Sequence, residues 1–274
     1  MNIDKELLCK IAELSVKAGA AIMEVYESAD FDISYKEGNS PLTRADTDAN
    51  EVIIEELKRL TPLVPILSEE CKEAPYSQRR AWDIFWLVDP LDGTKEFIKK
   101  SGEFTVNIAL IKDGSPVMGV VHMPTTGTTY TGLVGLGAFK QSSQGKQPKE
   151  ITTLGYNEGK LKVVASLSHR NKELEDFLGR IEKAQEDNGG VEALSMGSSL
   201  KLCLVAEGAA HLYPRIGPTM EWDTGAAHCI VSAAGGRVTD LDGKDLTYNK
   251  EDLLNPYFIV AGNPAFDWQK HLKK

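Results

Sequence analysis

The amino-acid sequence predicts a layered α/β fold, with a more antiparallel α+β first half and an α/β second half. In the first half, amphipathic helical spacing is followed by short apolar runs that Gly, Pro and Asp interrupt. Beyond residue 160, segments typical of strands and of helices alternate. Residues 140–160 are polar and poor in large apolar groups, so we expect two adjoining halves, residues 1–150 and 151–274.

Hydrophobic spacing predicts the individual elements. Apolar residues three or four apart predict a helix over residues 3–28, and a polar loop separates it from a second predicted helix over residues 47–60. Short apolar runs then predict strands over residues 64–67, 85–88, 104–111, 117–123 and 128–134. In the second half we expect strands at LKVVAS, HLYP and FIVAGN, helices over residues 171–184, 198–207 and 224–234, and a short terminal helix.

The composition excludes several classes of protein. A formal net charge of −9 argues against binding to a nucleic acid polymer or to an anionic membrane surface. No stretch approaches the roughly 20 apolar residues that span a bilayer. The N-terminus lacks the basic start and apolar centre of a signal peptide, so we expect a cytoplasmic protein. The four cysteines contain no C-x-x-C pair and the five histidines do not cluster, which argues against a disulfide framework or a zinc site.

The sharpest chemical signal is a short acidic segment directly after the apolar run FWLV, with the sequence Asp89-Pro90-Leu91-Asp92-Gly93-Thr94. Two carboxylates three residues apart emerge where a buried strand is predicted to end, and Gly93 permits a tight bend. The Leu91 carbonyl can point the same way as the carboxylates, and Mg²⁺ prefers such oxygen ligands. The alternative interpretation is an ordinary acidic turn after a strand.

Other acidic residues favour the metal-site interpretation. Glu69 and Glu70 follow another apolar strand, and two neighbouring strands that both end in carboxylates would place them around one point. Taken alone, the pair is typical of a solvated turn. Asp46 and Asp223 each lie at the start of a predicted helix, where an Asp is either an N-cap or a ligand.

Motifs of several other enzyme classes are missing from the sequence. There is no P-loop, no Rossmann glycine fingerprint, no G-x-S-x-G and no H-E-x-x-H. The remaining carboxylates, hydroxyls and glycines suit metal-assisted hydrolysis. Bound divalent cations would also give this acidic protein the positive charge that a phosphate substrate requires.

Four motifs occur in a characteristic order along the chain: T-R-A-D, E-E, D-P-L-D-G-T and W-D-T. In order and spacing they resemble the lithium-sensitive, magnesium-dependent phosphomonoesterases of the inositol monophosphatase superfamily. The resemblance covers nearly the whole chain and implies an α-β-α-β-α sandwich with the site between its two halves. It also implies inhibition by lithium and a monomer or homodimer, and it leaves open a peripheral association with the inner membrane face.

A finer similarity is to bacterial 3′(2′),5′-bisphosphate nucleotidases of the CysQ type. It is carried by the segments WLVDPLDGTKEFIKKSGEFTVNIALI, SLSH, GSSLKLCLVAEGAAHLYPR and GPTMEWDTGAA. It implies removal of the 3′-phosphate of 3′-phosphoadenosine 5′-phosphate to give AMP, and a role in sulfate assimilation. One alternative is an inositol monophosphatase or another sugar phosphatase on the same scaffold. Another is a non-catalytic binding protein that kept the fold.

The resemblance also implies roles for individual residues. The ligands implied for two to three Mg²⁺ ions are Glu69, Asp89, the Leu91 carbonyl, Asp92 and Asp223. Asp46 and Thr94 would orient and deprotonate the attacking water, and Glu70 would support the site from close by. The backbone of Gly93 and Thr94 would receive phosphate oxygens at a helix N-terminus.

The resemblance extends to substrate recognition by the second half. The residues implied to contact substrate are Glu69, Leu91, Asp92, Gly93, Thr94, Ser166, His169, Ser198, Lys201 and Asp223. Those of SLSH and GSSLK would face the nucleoside and its second phosphate. His169 has the alternative role of capping a helix or packing, and Lys201 that of a surface lysine that extends its ammonium group into solvent.

Overall fold

The computed structural model describes residues 1–28, 34–35, 41–143, 147–165 and 171–272. Its first helix, α1 (Lys5–Glu27), begins at the N-cap Asp4, which accepts a hydrogen bond from the backbone of Leu7 at 2.9 Å. The second helix, α2 (Arg44–Leu60), begins three residues before the predicted start. A capping box between Thr43 and Asp46 explains the earlier start, since it satisfies the first backbone N–H groups of the helix.

A seven-stranded sheet follows in sequence. Its strands are β3 (Ile66–Ser68), β4 (Ile84–Asp92), β5 (Thr105–Lys112), β6 (Ser115–Met123), β7 (Thr128–Leu133), β8 (Gly137–Gln141) and β9 (Lys149–Ile151). They are hydrogen-bonded in chain order, with β3 and β4 parallel and all later pairs antiparallel. The five predicted strands are confirmed. The two that were not predicted lie in the polar stretch near the expected boundary, where an edge of the sheet has few apolar residues.

Short elements connect this sheet to its surroundings. They are the paired strands β1 (Ser34–Tyr35) and β2 (Pro41–Leu42), and the helices α3 (Tyr76–Arg79) and α4 (Thr94–Ile98). The sequence analysis did not predict β1, β2 or α3, because elements of two to four residues carry no periodicity. The start of α4 at Thr94 agrees with the helix N-terminus that the resemblance implied there.

The second sheet has five strands in the order β11-β10-β12-β14-β13. These are β10 (Leu161–Ala165), β11 (Val191–Ser195), β12 (Leu212–Arg215), β13 (Arg237–Asp240) and β14 (Phe258–Ala261). The helices of this half are α5 (Lys172–Gln185), α6 (Leu200–Ala206), α7 (Glu221–Ala233) and a terminal 3₁₀ turn, Trp268–His271. Each predicted element is present, whereas the edge strands β11 and β13 were not predicted because they are short and partly polar.

The elements form five layers. Helices α1 and α2 cover one face of the seven-stranded sheet, and α6 and α7 lie between the two sheets. Helix α5 covers the outer face of the five-stranded sheet. The α-β-α-β-α sandwich implied by the resemblance is therefore confirmed. Every helix in the described part of the chain is too short or too polar to cross a lipid bilayer.

Two glycines allow α7 to lie unusually close to the seven-stranded sheet. A Cβ atom on Gly119 of β6 would lie 2.1 Å from the carbonyl oxygen of Ala226, and one on Gly132 of β7 would lie 2.7 Å from the Cα of Ile230. Because no side chain larger than hydrogen fits at these positions, the backbone of α7 contacts the strands directly. This contact sets the height of Asp223, at the start of α7, above the ends of β3 and β4.

Candidate active site

Two carboxylates lie together because two parallel strands end side by side. In the β3–β4 pair, Ser68 is the register partner of Val88. Glu69 comes directly after β3, and its backbone N–H donates to the carbonyl of Val88 at 3.1 Å. Asp89 is the next residue of β4 and is 1% exposed. The pairing places Glu69 next to Asp89 at the carboxyl ends of the strands, the usual position of a site in an α/β sheet.

A β-bulge in β4 directs Asp89 and Asp92 to the same face of the sheet. Asp89 pairs with Asn107 of β5 and Asp92 pairs with Thr105, so β4 advances three residues while β5 advances two. In a regular strand, residues three apart would point to opposite faces. The extra residue restores the common direction, towards α7. Pro90, within the bulge, has no N–H that the interrupted ladder would need to satisfy.

Asp223 completes the acidic cluster from the other half of the molecule. Carboxylate oxygen atoms of Glu69, Asp89 and Asp223 all lie within 4.8 Å of one another. The Oδ2 atom of Asp223 also accepts from the backbone N–H of Met220 at 2.9 Å. The N-cap of α7 is Met220, so the interpretation of Asp223 as an N-cap is wrong. Asp223 is the third helical residue, where one carboxylate oxygen accepts from the N-cap backbone and the side chain still reaches the cluster.

The electrostatics of the cluster favour bound cations. Burial raises the pKa of Asp89 well above its ordinary value, and the charges of Glu69, Asp92 and Asp223 raise it further. Burial likewise raises the pKa of Asp223, together with repulsion from Asp92 and Glu69. Crowded carboxylates of this kind resist ionisation unless positive charge is supplied. A set of buried oxygen donors fits a hard divalent cation such as Mg²⁺.

Asp92 connects the carboxylates to the second half of the chain. Its Oδ2 accepts from the backbone N–H of Ser199 at 2.5 Å. Burial raises the pKa of Asp92 to about 6, although the charge of Lys201 and the bond from Ser199 both act to lower it. The carboxylate is therefore held from both halves of the molecule.

Asp46 and Thr94 lie next to each other on the other side of the motif. The Oδ2 atom of Asp46 accepts from the N–H of Thr43 at 2.7 Å and from its hydroxyl at 2.6 Å. The Thr94 hydroxyl lies 3.3 Å from Oδ1 of Asp46 and 3.4 Å from the Leu91 carbonyl, to either of which it can donate. The N-cap of α2 is Thr43, so the interpretation of Asp46 as an N-cap is wrong. Asp46 completes the capping box through Oδ2, and its Oδ1 lies beside the Thr94 hydroxyl of the acidic motif.

The remaining residues predicted in the first half are placed near this motif. Gly93 has φ +96° and precedes α4, so the bend requires a glycine. The helix that follows has only five residues, which limits the dipole on which the predicted phosphate contact was based. Glu70 is half-buried and its backbone N–H lies 3.4 Å from the Ser68 hydroxyl, but its carboxylate is not part of the cluster of Glu69, Asp89 and Asp223.

A cleft with a volume of about 270 Å³ opens beside the carboxylates. Its lining includes the carboxylates of Asp92 and Asp223, the hydroxyl of Ser198 and the basic side chains of Lys201 and Arg215. Lys201 is 7% exposed and its ammonium group lies 3.3 Å from the Met196 carbonyl, so the alternative of a solvent-extended lysine is wrong. The cleft therefore combines anionic groups with three basic side chains, those of Lys99, Lys201 and Arg215.

Sequence reasoning missed part of the site. Arg215 faces the cleft, and its buried Nε has no hydrogen-bond partner among the described residues. Thr105 and Asn107 face the site from β5, where two polar residues interrupt an apolar run. These two polar residues within an apolar run were the sequence feature from which Thr105 and Asn107 could have been predicted as site residues. Two of the predicted substrate contacts, Ser166 and His169, lie outside the described residues.

The comparisons with known proteins show the family. A profile of the inositol monophosphatase family matches residues 4–272. The chain belongs to this family. Members of known sequence cover it almost end to end: the 3′(2′),5′-bisphosphate nucleotidase CysQ of Escherichia coli K12 is 45% identical over 93% of this chain and 99% of its own. CysQ of Salmonella typhimurium is 46% identical with the same coverage.

Solved structures of the family share the five-layered fold. A crystal structure of CysQ from Bacteroides thetaiotaomicron superposes with a TM-score of 0.79 and is 43% identical, covering 92% of this chain and 97% of that one. The extragenic suppressor protein suhB from Bartonella henselae gives the same TM-score at 23% identity, covering 98% of this chain and 99% of that one. At that identity the likeness concerns the fold alone.

Proposed function

We propose that this protein is a Mg²⁺-dependent phosphatase that removes the 3′-phosphate of 3′-phosphoadenosine 5′-phosphate, giving AMP and inorganic phosphate. The observation that carries the proposal is a carboxylate cluster in which Asp89 is buried and Asp223 lines a cleft that also bears the basic side chains of Lys99, Lys201 and Arg215. The substrate class is supported by relatives named 3′(2′),5′-bisphosphate nucleotidase, which are 45–46% identical over 93% of the chain.

The carboxylates would hold the metal ions. Glu69, Asp89 and the Leu91 carbonyl would bind one Mg²⁺, and Asp89, Asp92 and Asp223 a second, with a third ion held weakly near Asp46. Bound Mg²⁺ supplies positive charge that offsets the charge of a phosphate ester and acidifies water. The raised pKa values of Asp89 and Asp223 support this arrangement, since neighbouring negative charges contribute to both.

Asp46 and Thr94 would orient and deprotonate the attacking water. The contact between Thr94 Oγ1 and Asp46 Oδ1 at 3.3 Å leaves a hydroxyl and a carboxylate facing the acidic motif. A water that donates to Thr94 would be oriented by it, and Asp46 would accept the proton that the water loses as its oxygen bonds to phosphorus. The bond from phosphorus to the 3′ oxygen would then break, that oxygen would take a proton from solvent water, and Asp46 would return its proton to solvent.

Basic residues in the cleft would bind the second phosphate. Lys201 and Arg215 line the same cleft as Asp92 and Asp223, so the cleft offers positive charge for a second phosphate group beside the carboxylates. The Nε atom of Arg215 is buried and has no partner in the described part of the chain, so it is available as a donor. Ser198, Ser166 and His169 remain predicted contacts for the nucleoside.

The experiment that tests the proposal is phosphate release by the purified protein. We would compare 3′-phosphoadenosine 5′-phosphate with inositol-1-phosphate, each with Mg²⁺ and with a chelator. The proposal predicts turnover that requires Mg²⁺ and a strong preference for the nucleotide. A preference for inositol phosphate would leave the metal chemistry intact and refute the substrate assignment, whereas full activity in chelator would refute the metal site.

Four further expectations accompany this proposal and remain predictions. They are inhibition by Li⁺, a role in sulfate assimilation, a cytoplasmic location with or without peripheral association at the inner membrane, and a monomeric or homodimeric state. The first is checked by adding Li⁺ to the same assay, where turnover that is indifferent to Li⁺ would contradict it.

A further inference from the structure

The side-chain amide of Asn107 is buried and only half satisfied. The residue is 1% exposed and is the third residue of β5. Its Oδ1 accepts from the hydroxyl of Ser199 at 2.9 Å and from that of Thr105 at 3.2 Å. Its Nδ2 has no hydrogen-bond partner among the described residues. A buried donor without a partner loses its hydrogen bonds to water and gains none in return, so this amide is a poor choice for stability alone.

Asn107 lies between the carboxylates of the proposed metal site and the residues Ser198 and Ser199 at the cleft. It pairs with Asp89 across the β4–β5 ladder and shares its face of the sheet. Through Oδ1 it holds the Ser199 hydroxyl, and the backbone N–H of the same serine donates to Asp92. The Asn107 amide therefore lies beside the Asp89 carboxylate. It is also linked to the Asp92 carboxylate through one intervening residue, Ser199.

The cleft segment that Asn107 holds is conformationally strained. Ser198 has φ +46°, a left-handed backbone conformation that residues other than glycine rarely adopt. The Thr105 hydroxyl lies 3.1 Å from the Ser198 hydroxyl and 2.9 Å from that of Ser199. Such strain persists only where neighbouring contacts enforce it, and it is concentrated at functional sites. Here the enforcing contacts come from β5, beside the carboxylates.

We propose that Asn107 is a positioning residue, which fixes the strained turn at Ser198 and Ser199 against the metal-binding strand. The inference rests on the proposed function and adds a coupling to it: the carboxylates and the cleft keep one relative position because Asn107 joins them. Loss of the amide then weakens metal binding as well as substrate binding, although Asn107 itself need not touch a metal ion.

The test compares Asn107→Ala and Ser199→Ala, which break the same link from opposite sides. For each variant we would measure the Mg²⁺ concentration that gives half of the full thermal stabilisation, without substrate, and kcat/KM for 3′-phosphoadenosine 5′-phosphate. Residues that support metal ligands are worth about 10- to 100-fold in affinity or activity. We therefore expect both single variants to need about tenfold more Mg²⁺ and to lose about tenfold in kcat/KM.

The double variant separates a shared link from two independent effects. If Asn107 and Ser199 act through one contact, Asn107→Ala combined with Ser199→Ala has a Mg²⁺ midpoint within about twofold of the weaker single variant. A Mg²⁺ midpoint in the double variant that is raised by the product of the two single-variant effects would overturn the inference. If Asn107→Ala does not fold, Ser199→Ala alone tests the link, because it retains the backbone N–H to Asp92, and an unchanged midpoint would then refute it.

Thr129→Val provides the matched control. Thr129 is a buried polar residue of the same sheet, hydrogen-bonded to His122 and remote from the carboxylates. The control should lower the melting temperature and leave the Mg²⁺ midpoint unchanged. If the Asn107 variants behave in the same way, Asn107 has only a structural role. Because the midpoint is measured without turnover, an inactive wild-type protein would refute the proposed function and not this inference.

Discussion

Asp89, Asp92 and Asp223 combine the charge that the proposed chemistry needs with a cost to folding. Burial raises the pKa of all three, and repulsion from neighbouring carboxylates adds to the shift. Holding them ionised at neutral pH therefore opposes folding, and a bound cation removes that penalty. The residues that carry the proposed function are thus the ones that destabilise the metal-free protein.

Asp92→Asn tests at a single residue whether a carboxylate that the activity requires also destabilises the metal-free protein. The amide oxygen can still accept from the Ser199 N–H while one buried negative charge is lost. We expect the free energy of unfolding in chelator to stay the same or rise, and phosphate release with Mg²⁺ to fall by more than about a hundredfold, beyond the loss typical of residues that only support a ligand. Urea denaturation and steady-state kinetics measure the two effects.

The matched control for Asp92→Asn is Asp187→Asn, at an exposed position near the end of α5. It makes the same chemical change on the surface and should alter neither quantity. A variant at Asp92 that keeps more than a tenth of wild-type activity would contradict the assignment of this residue to the metal site.

Lys201→Met tests the recognition of a second phosphate. Methionine keeps the apolar part of the buried side chain and removes its charge. A charge-assisted hydrogen bond is worth about 1.5–3 kcal/mol, so we expect KM for 3′-phosphoadenosine 5′-phosphate to rise at least about tenfold while kcat changes less. With 3′-AMP, which lacks the second phosphate, the ratio between variant and wild type should approach one. Equal losses on both substrates would contradict the assignment.

Lys183→Met, on the exposed side of α5, is the corresponding control and should leave both KM values unchanged. A general effect of removing positive charge would appear in both the Lys201 and the Lys183 variants. Loss of a contact to the second phosphate would appear only in the Lys201 variant.

At the scale of elements, the position of α7 relative to the sheet determines whether Asp223 reaches the other carboxylates. Gly119 and Gly132 allow the helix backbone to contact β6 and β7. At its start, Asp223 accepts from the backbone of Met220, and the buried Glu221 accepts from the backbone N–H groups of Asn249 and Lys250. The helix is therefore held both along its length and at the end that bears the ligand.

Gly119→Ala should disturb this placement. The new methyl group would lie 2.1 Å from the Ala226 carbonyl, so α7 or β6 must move. We expect a loss of about 1–3 kcal/mol in the free energy of unfolding, the range typical of overpacked cores. We also expect a higher Mg²⁺ midpoint in a thermal shift titration, because Asp223 moves with the helix.

Gly179→Ala in α5 provides the contrast, since nothing lies within 4 Å of the added methyl group. Alanine is favoured over glycine in a helix interior by about 1 kcal/mol, so this variant should be more stable and bind Mg²⁺ normally. If Gly119→Ala lowers stability and leaves the Mg²⁺ midpoint unchanged, the close approach of α7 serves packing alone.

Elements with strong periodicity were predictable, and features that depend on pairing between strands were not. Apolar spacing was sufficient for α1, α5 and the central strands, and the proximity of Glu69 to Asp89 follows from two adjacent strands that end in acids. The bulge that brings Asp89 and Asp92 to one face depends on the register with β5. The role of Asn107 was hidden for the same reason, since its partner Ser199 is 92 residues away.

At the scale of the whole molecule, two histidines are buried in the neutral form. His122 is hydrogen-bonded to Thr129 at 2.9 Å and His228 to the Tyr248 hydroxyl at 2.9 Å. Burial lowers the pKa of each imidazole to about 4. The unfolded chain, with an ordinary value near 6.5, takes up protons at a higher pH than the folded chain does. As the pH falls from about 6.5 towards 4, protons bind the unfolded chain in preference to the folded chain, so the folded protein becomes less stable.

Comparison of wild type with His122→Asn isolates one of these histidines. Asparagine is uncharged at every pH used, so its cost in packing does not depend on pH. We expect the difference in free energy of unfolding between wild type and variant to shrink by about 2 kcal/mol between pH 7 and pH 5. Urea denaturation in chelator at the two values measures it. A difference that stays constant would mean that His122 titrates normally in the folded protein.

The central claim is that carboxylates from both halves gather metal ions beside a cleft that receives a nucleotide with two phosphates. Crystals grown with Mn²⁺ in place of Mg²⁺, together with AMP and phosphate, would test it directly through anomalous scattering. The account predicts two to three metal peaks among Glu69, Asp89, Asp92 and Asp223, with AMP in the cleft near Lys201 and Arg215. Metal peaks away from these carboxylates, or AMP bound outside the cleft, would contradict it.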